Sequence, residues 1–442
     1  MKAKRGLTFS LFVLFGIALA GPAETSRFPD PKTAGLPNVL IVVLDAARAD
    51  HIGFFGYPRP TTPEIDQICR QSEVFTAALA VAPYTVASTA SLFTGLYPDV
   101  HQVLGLGNRL SREAPTMAES FRKAGYRTLL TGNNPFLEPA FGLDRGFDSC
   151  LNNVDYGTDR ASAVTEQFAQ QLNETAEPFF GYIHYLRPHE PYDAPEDVRA
   201  IFGRSGKSWA HDLVAIDQGT IKLTPEFRSE IEADYDAGLR TVDLEVGKVI
   251  RLLRTKGVLD RTIVVILADH GEAFGEHGKM SHNSTVYDEM LRVPLIFHYP
   301  ARLKPKRSDR LAQTVDVFPT LAELAHVSLP EFVQGQSLFG KPRPYAFGQT
   351  GETYCVRDAD TKMIRDLRGE DVEFFDLHKD PLEKKGIARN RVSGKNAARL
   401  AALESVFTRW FGYCLAHSKG NRNPANLNPE LVARLKSLGY LR

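Results

Sequence analysis

The chain reads as an α/β protein: a mostly parallel central sheet flanked by helices, followed by a smaller C-terminal α+β unit. Three observations predict this. Asn38–Leu44, Phe179–Leu186 and Thr262–Leu267 lack the apolar–polar alternation of a half-exposed strand, as expected of strands covered on both faces in a parallel sheet. Helix-length amphipathic segments separate them, over 115–123 and 224–254. The first and last runs lead directly into Asp45 and Asp269, and open parallel sheets place their chemistry beyond the carboxyl ends of their strands.

The elements follow in order. Lys2, Lys4 and Arg5 precede the apolar run Leu7–Ala20, with Ala18 and Ala20 before Gly21, which predicts a secretory signal peptide over 1–20 and a periplasmic or secreted mature chain. The run is short for a membrane span, so an uncleaved anchor is the weaker alternative. No Cys follows it, against a lipoprotein anchor, and no later segment is expected to cross a membrane. The main domain is placed over 36–340, with a strand at Tyr126–Thr131 between the two helices above. A C-terminal subdomain over 341–442 shows short strand-like segments around Tyr345–Gly348 and Val372–Asp376, then helical stretches near 395–413 and 428–438. The segment 190–225 lacks a strong period and is the expected seat of substrate specificity.

The chemistry sits at the strand ends. Asp269-His270-Gly271-Glu272 pairs a carboxylate with an imidazole and with glycine that lets backbone approach a ligand. Asp45 ends the other run, so if the two strands are neighbours the carboxylates converge. They would then repel each other unless a cation lies between them. Arg48 and Asp50 read as a loop-shaping ion pair, and Glu272 as a brace of the Asp269 turn.

A third stretch, Ala82-Pro83-Tyr84-Thr85-Val86-Ala87-Ser88-Thr89-Ala90-Ser91-Leu92-Phe93-Thr94-Gly95-Leu96-Tyr97-Pro98, completes a pattern. Together with Asp45, Asp269-His270-Gly271 and Gly275-Glu276-His277-Gly278 it resembles the sulfatases, a branch of the alkaline-phosphatase superfamily. Tyr299-Pro300, Val315–Leu321, Gly335–Leu338, Phe374–Leu377, Asp380-Pro381 and Ala433–Leu441 extend the likeness along the chain. The resemblance implies an alkaline-phosphatase-like fold, and a nucleophile nine residues before Thr94, which is Thr85. It also implies metal ligation by Asp45, Thr85, Asp269 and His270.

The departures from the family narrow the chemistry. Usual sulfatases carry Cys-x-Pro-x-Arg or Ser-x-Ala-x-Arg at the nucleophile and oxidise the first residue to formylglycine. This chain has Thr85-Val86-Ala87-Ser88-Thr89. Thr cannot become the aldehyde, so no formylglycine is expected. A plain alkoxide would be left as a stable sulfated enzyme, whereas water can attack a phosphorylated Thr at phosphorus. Ala46 stands where a second metal-binding Asp is usual, and Thr131-Gly132-Asn133-Asn134 where a sulfate-neutralising Lys is usual. The expected cofactor is therefore one divalent ion, Mn²⁺, Ca²⁺, Mg²⁺ or Zn²⁺.

By the same resemblance His189 contacts the transferred group or protonates the leaving oxygen, and His282 points at the same anion. His277, Ser88 and Asn133 are substrate-binding candidates, although Ser88 and Asn133 could equally be structural and His277 a solvated loop residue. His184 reads as a buried, satisfied core histidine. The implied function is a metal-dependent hydrolase of phosphate or phosphonate esters acting through Thr85. The alternatives are sulfate-ester hydrolysis proper, transfer of a phosphorus-containing head group in the cell envelope, and a non-catalytic sugar- or lipid-binding relative. A small-molecule, glycan or lipid ester is the expected substrate. The 53 basic and 53 acidic residues leave no electrostatic footprint for nucleic acid. Of Cys69, Cys150, Cys355 and Cys414, the last two are the preferred disulfide, with four free thiols as the competing state.

Overall fold

In the computed structural model the described residues are 35–152, 161–206, 213–369, 371–418 and 423–437. The expected signal peptide, and the end of the family-like tail beyond residue 437, lie outside them. Every residue of β1 (Asn38–Asp45) and β6 (Thr262–Leu267) is buried, which is why both read as unbroken apolar runs. Six further strands join them: β2 (Glu73–Leu79), β3 (Arg127–Gly132), β4 (Ser149–Asn152), β5 (Phe179–Pro188), β7 (Leu295–His298) and β8 (Lys306–Gln313). The order across the sheet is β8-β2-β7-β6-β1-β5-β3-β4. Only β7 runs antiparallel to its neighbours.

The register fixes the site. Val43 of β1 pairs with Leu267 of β6 on one side and with His184 of β5 on the other. Asp45 and Asp269 therefore emerge side by side from adjacent strands, which meets the condition under which their carboxylates converge, and β5 brings a histidine against them.

Helix boundaries follow their caps. α1 is Thr85–Thr94 and ends at Gly95 in the left-handed region. α2 (Met117–Lys123) starts from Thr116, which forms a reciprocal capping box with Glu119. α3 (Ala161–Asn173) and α4 (Pro225–Thr255) pack on each other and on β5. α4 has Thr224 as N-cap and Pro225 in its first turn. α5 (Val317–Ala325) packs on α1.

The C-terminal part is an antiparallel sheet of five sequential strands, β9 (Ala346–Thr350), β10 (Thr353–Arg357), β11 (Thr361–Asp366), β12 (Val372–Asp376) and β13 (Ile387–Ala388). Helix α6 (Lys395–Ala416) covers it with Leu403, Phe407 and Trp410, and the Trp410 ring stacks on Phe347 at 4.4 Å. A second helix, α7 (Pro429–Ser437), follows.

The expected Cys355–Cys414 bridge does not form, and all four cysteines are free thiols. Cys355 on β10 packs against Gly348, whereas Cys414 on α6 lies 3.5 Å from the Gln334 side chain. Burial pushes the two thiols up to about 11 and about 12, so both stay protonated.

A buried ionic cluster staples this sheet to the main domain. Lys362 of β11, fully buried, lies 2.9 Å from Asp288 and 2.8 Å from Glu383, and Arg357 of β10 meets Asp288 at 2.8 Å. Removing one partner strands the other charges away from water. Lys362→Met is expected to cost about 3–5 kcal/mol of unfolding free energy, read from urea denaturation. A cost below about 1 kcal/mol, the usual worth of an exposed pair, would show that the cluster is hydrated.

Candidate active site

Asp269 follows β6 and its turn is held by backbone. Its Oδ1 accepts from Ala46 N at 3.2 Å and His270 N at 3.0 Å, while its Oδ2 is buried without a hydrogen-bond partner. His270 Nδ1 donates to Gly271 O at 2.8 Å, which leaves a lone pair on Nε2. Gly271 has no room for a side chain, since a Cβ there would lie 2.1 Å from Glu289 O. Asp45 closes the set: His270 Nε2 is 3.5 Å from Asp45 Oδ1 and 3.6 Å from Asp269 Oδ2.

One ligand atom from each of Asp45, Asp269 and His270 lies within 4.8 Å of the others, and all three side chains are buried. Two buried carboxylates, one with an orphaned oxygen, and an imidazole lone pair form a donor set that fits a divalent cation. Burial disfavours a charge on His270, but Asp269 and then Asp45 outweigh it and raise its pKa. The same two carboxylates would attract a metal ion.

Thr85 is the first residue of α1, so the nucleophile sits at a helix N-terminus where negative charge is favoured. Its Oγ1 lies 3.4 Å from Asp45 Oδ1 and 3.2 Å from His270 Nε2. Two more histidines extend the row: the His282 ring is 4.6 Å from the rings of both His270 and His189. His189 follows β5 and donates from Nδ1 to Glu190 O at 2.6 Å, and burial lowers its pKa to about 3.

The three substrate-binding candidates, Ser88, His277 and Asn133, each make protein hydrogen bonds. Ser88 donates its hydroxyl hydrogen to Asp269 O at 2.6 Å, so it ties α1 to the Asp269 loop. His277 has both ring nitrogens engaged, by Glu289 Oε1 at 2.7 Å and Glu383 O at 2.9 Å, and its ring stacks on Tyr287. It therefore bonds the loop to the C-terminal part. Asn133 accepts from Leu186 N at 2.8 Å through Oδ1, leaving its amide nitrogen to donate. Glu272 does not brace the Asp269 turn with its side chain, which is buried against His282 at 3.1 Å. Arg48 and Asp50 form the expected pair, doubly bonded at 2.9 and 2.8 Å.

Two residues of the site escaped sequence reasoning. Asn134 donates to Asp45 Oδ2 at 2.5 Å, one position beyond the Asn133 singled out. His184 is buried and satisfied, as expected, but it spends Nε2 on Asp45 Oδ2 at 3.0 Å and accepts from Tyr182 OH at 2.8 Å.

With this geometry in hand, the comparison with known proteins is direct: a sequence profile of the sulfatase family matches residues 37–327. The chain belongs to the sulfatase family. The arylsulfatase of Clostridium perfringens is 25% identical over 430 residues, spanning 78% of this chain and 89% of that protein. The phosphonate monoester hydrolase of Agrobacterium radiobacter superposes with a TM-score of 0.72 at 20% identity, covering 89% of this chain and 100% of that one. Its namesake from Silicibacter pomeroyi gives 0.68 at 21%, covering 86% and 96%. At such identities the superpositions establish the fold.

In this sulfatase-family chain Thr85 stands at the position of the formylglycine nucleophile, against a candidate one-ion site. Fold and site together are those of a hydrolase of phosphate- or sulfate-ester-like substrates. Residues that orient ligands matter nearly as much as the ligands themselves. His184→Ala and Asn134→Ala are each expected to weaken metal affinity about 10- to 100-fold, measured by metal titration against a chelator, with the fold retained by circular dichroism.

Proposed function

We propose that this sulfatase-family protein is a metal-dependent hydrolase of monoanionic phosphorus esters, phosphodiesters or phosphonate monoesters, acting through Thr85. The observation that carries this reading is an unmodified Thr hydroxyl 3.4 Å from Asp45 and 3.2 Å from His270. A phosphorylated Thr can be hydrolysed at phosphorus, whereas a sulfated one has no comparable exit. The neutral amides of Asn133 and Asn134, standing where usual sulfatases have Lys, suit a singly charged anion.

Asp45, Asp269 and His270 would hold a divalent cation, which when bound would supply positive charge that favours the Thr85 alkoxide and the charged transition state. Thr85 Oγ1, its hydrogen directed at Asp45 Oδ1, attacks phosphorus. The bond to the leaving oxygen breaks, and that oxygen takes a proton from the His189–His282 side of the site. The Thr85 proton passes to Asp45 Oδ1 as the Thr85–phosphorus bond forms; water then attacks the phosphorus of phospho-Thr85, returning a proton to the His189–His282 side, and the departing Thr85 oxygen takes its own proton back from Asp45. Asn133 serves as a substrate donor through its amide nitrogen.

The natural substrate is a small-molecule, glycan or lipid ester met outside the cytoplasm, a location that rests on the N-terminal Lys/Arg and apolar pattern. Among the described residues no helix is long and apolar enough to cross a membrane. The test is a panel of aryl esters with each divalent ion added: phosphodiester, phosphonate monoester, phosphate monoester and sulfate. The highest kcat/KM is expected on the first two. A preference for the aryl sulfate would overturn the plain-Thr argument in favour of sulfate-ester hydrolysis.

A further inference from the structure

We infer that the cleft beside the C-terminal helix α7 is an accessory subsite for a carboxylate-bearing sugar, with Arg109 as the group that recognises the carboxylate. This rests on the ester-hydrolase reading above and narrows its substrate to an ester of an acidic glycan.

The cleft encloses about 490 Å³ between Arg109, the turn at Glu138 and the stretch that leads into α7, a volume in the range of small-ligand sites. Backbone holds its walls together: Asn423 pairs with Arg109 across a short antiparallel ribbon. The Arg109 guanidinium is nevertheless left without an acceptor. Its Nε is buried with no hydrogen-bond partner, and the two carboxylates of the lining, Glu138 and Glu430, both face Arg434 instead, the first at 3.6 Å. Arg145 adds a like charge nearby. Burial lowers its pKa, and Arg109 pushes the same way against the pull of Glu119. A guanidinium donor kept from water without an acceptor destabilises a fold. An acceptor in the cleft would relieve that cost, and the planar fork matches a carboxylate through two parallel bonds.

The rest of the lining suits a sugar ring better than a bare ion. Asn428 Oδ1 accepts from Leu431 N at 2.8 Å, which leaves its amide nitrogen to donate, and Asn426 stands beside it in the cleft. Glu138 and Glu430 can accept from hydroxyls, and Pro139 and Leu431 offer an apolar patch to a C–H face.

The cleft also adjoins the reaction centre. Glu138 is four residues beyond Asn134, which donates to Asp45 Oδ2. Pro135–Leu137 between them form a 3-10 helix, whose rise of about 2 Å per residue separates the two by about 8 Å. Asn152 Nδ2 clasps this turn at both ends, donating to Asn134 O and to Glu138 Oε1 at 3.0 Å each. A glycan with its ester at Thr85 can therefore lay a neighbouring sugar in the cleft, and a compact aryl ester cannot.

The test is calorimetry on the full chain with its metal. The probes are the trisaccharides of galacturonate and of glucuronate, with galactotriose and acetate as the neutral-sugar and bare-ion controls. One uronate trisaccharide is expected to bind per chain, about 10-fold or more tighter than either control. Arg109→Gln should weaken it about 10- to 100-fold with the fold retained by circular dichroism, and Arg109→Lys, which keeps the charge but not the fork, should recover part of the loss. Asp269→Asn should bind as wild type does, because the subsite does not use the metal. Equal binding of galactotriose or acetate, unchanged binding in Arg109→Gln, loss of binding in Asp269→Asn, or no binding of either uronate would each overturn the assignment. The bound trisaccharide should also inhibit wild-type turnover of an aryl ester over the concentrations at which it binds. Binding without inhibition would overturn the link to the ester site. Failure of wild type on every aryl ester would count against the hydrolase reading, while the calorimetry judges Arg109 independently of turnover.

Discussion

Thr85→Ala is expected to abolish turnover, lowering kcat on the order of 10⁴-fold or more on every ester the wild type accepts. The reason is geometric. No other described hydroxyl takes up this place: Ser88, one helical turn on, has its hydrogen bonded to Asp269 O. Because Thr85 is buried at the first turn of α1, the substitution removes a methyl and a hydroxyl without disturbing the helix. Thr85→Ser, which keeps the nucleophile, should retain activity. Acid-quenched wild-type enzyme should carry phosphate on the peptide that contains Thr85, detected by mass spectrometry. Turnover that survives in Thr85→Ala would mean direct attack by water and would remove the covalent intermediate from the mechanism.

The features that sequence reveals here share a cause. Strands buried on both faces have no alternation to confuse, so β1 and β6 and the Asp residues after them were visible, while their adjacency was only a condition of the reading and is supplied by the observed pairing. Thr85 was legible through the resemblance to the sulfatases, which implies a nucleophile nine residues before Thr94. The misses are residues whose role depends on a partner from another strand. His184 has the burial of a core residue, and only its pairing opposite Val43 reveals that its ring reaches Asp45. Asn133 and Asn134 differ by one position at a strand end, where alternation decides which side chain turns toward Asp45 and which toward β5. His277 shows the reverse case. Its glycine-flanked setting invites a ligand role, yet its two bonds go to Glu289 and Glu383, a tie to the C-terminal part that local sequence does not contain.

Asp269→Asn is expected to separate stability from function. In the wild-type chain Asp45 and Asp269, both essentially unexposed, face each other across the gap that the cation would fill. Without metal their repulsion works against the fold, offset in part by the His270 imidazole 3.5 and 3.6 Å from them. The Asn side chain keeps an oxygen for the Ala46 and His270 amides and offers an NH₂ where Oδ2 had no partner. The chelated variant should therefore melt at or above the chelated wild type. Added metal should stabilise wild type by about 2.7 kcal/mol at 100 times the dissociation constant, a shift of several degrees. It should leave the variant nearly unmoved and inactive. Chelation of wild type should abolish turnover, and one divalent ion should restore it. A variant that still gains the full metal-dependent shift would place the cation away from Asp269. A chelated variant that melts well below chelated wild type would show instead that the Asp269 charge serves the fold, because repulsion relieved by Asn cannot lower stability.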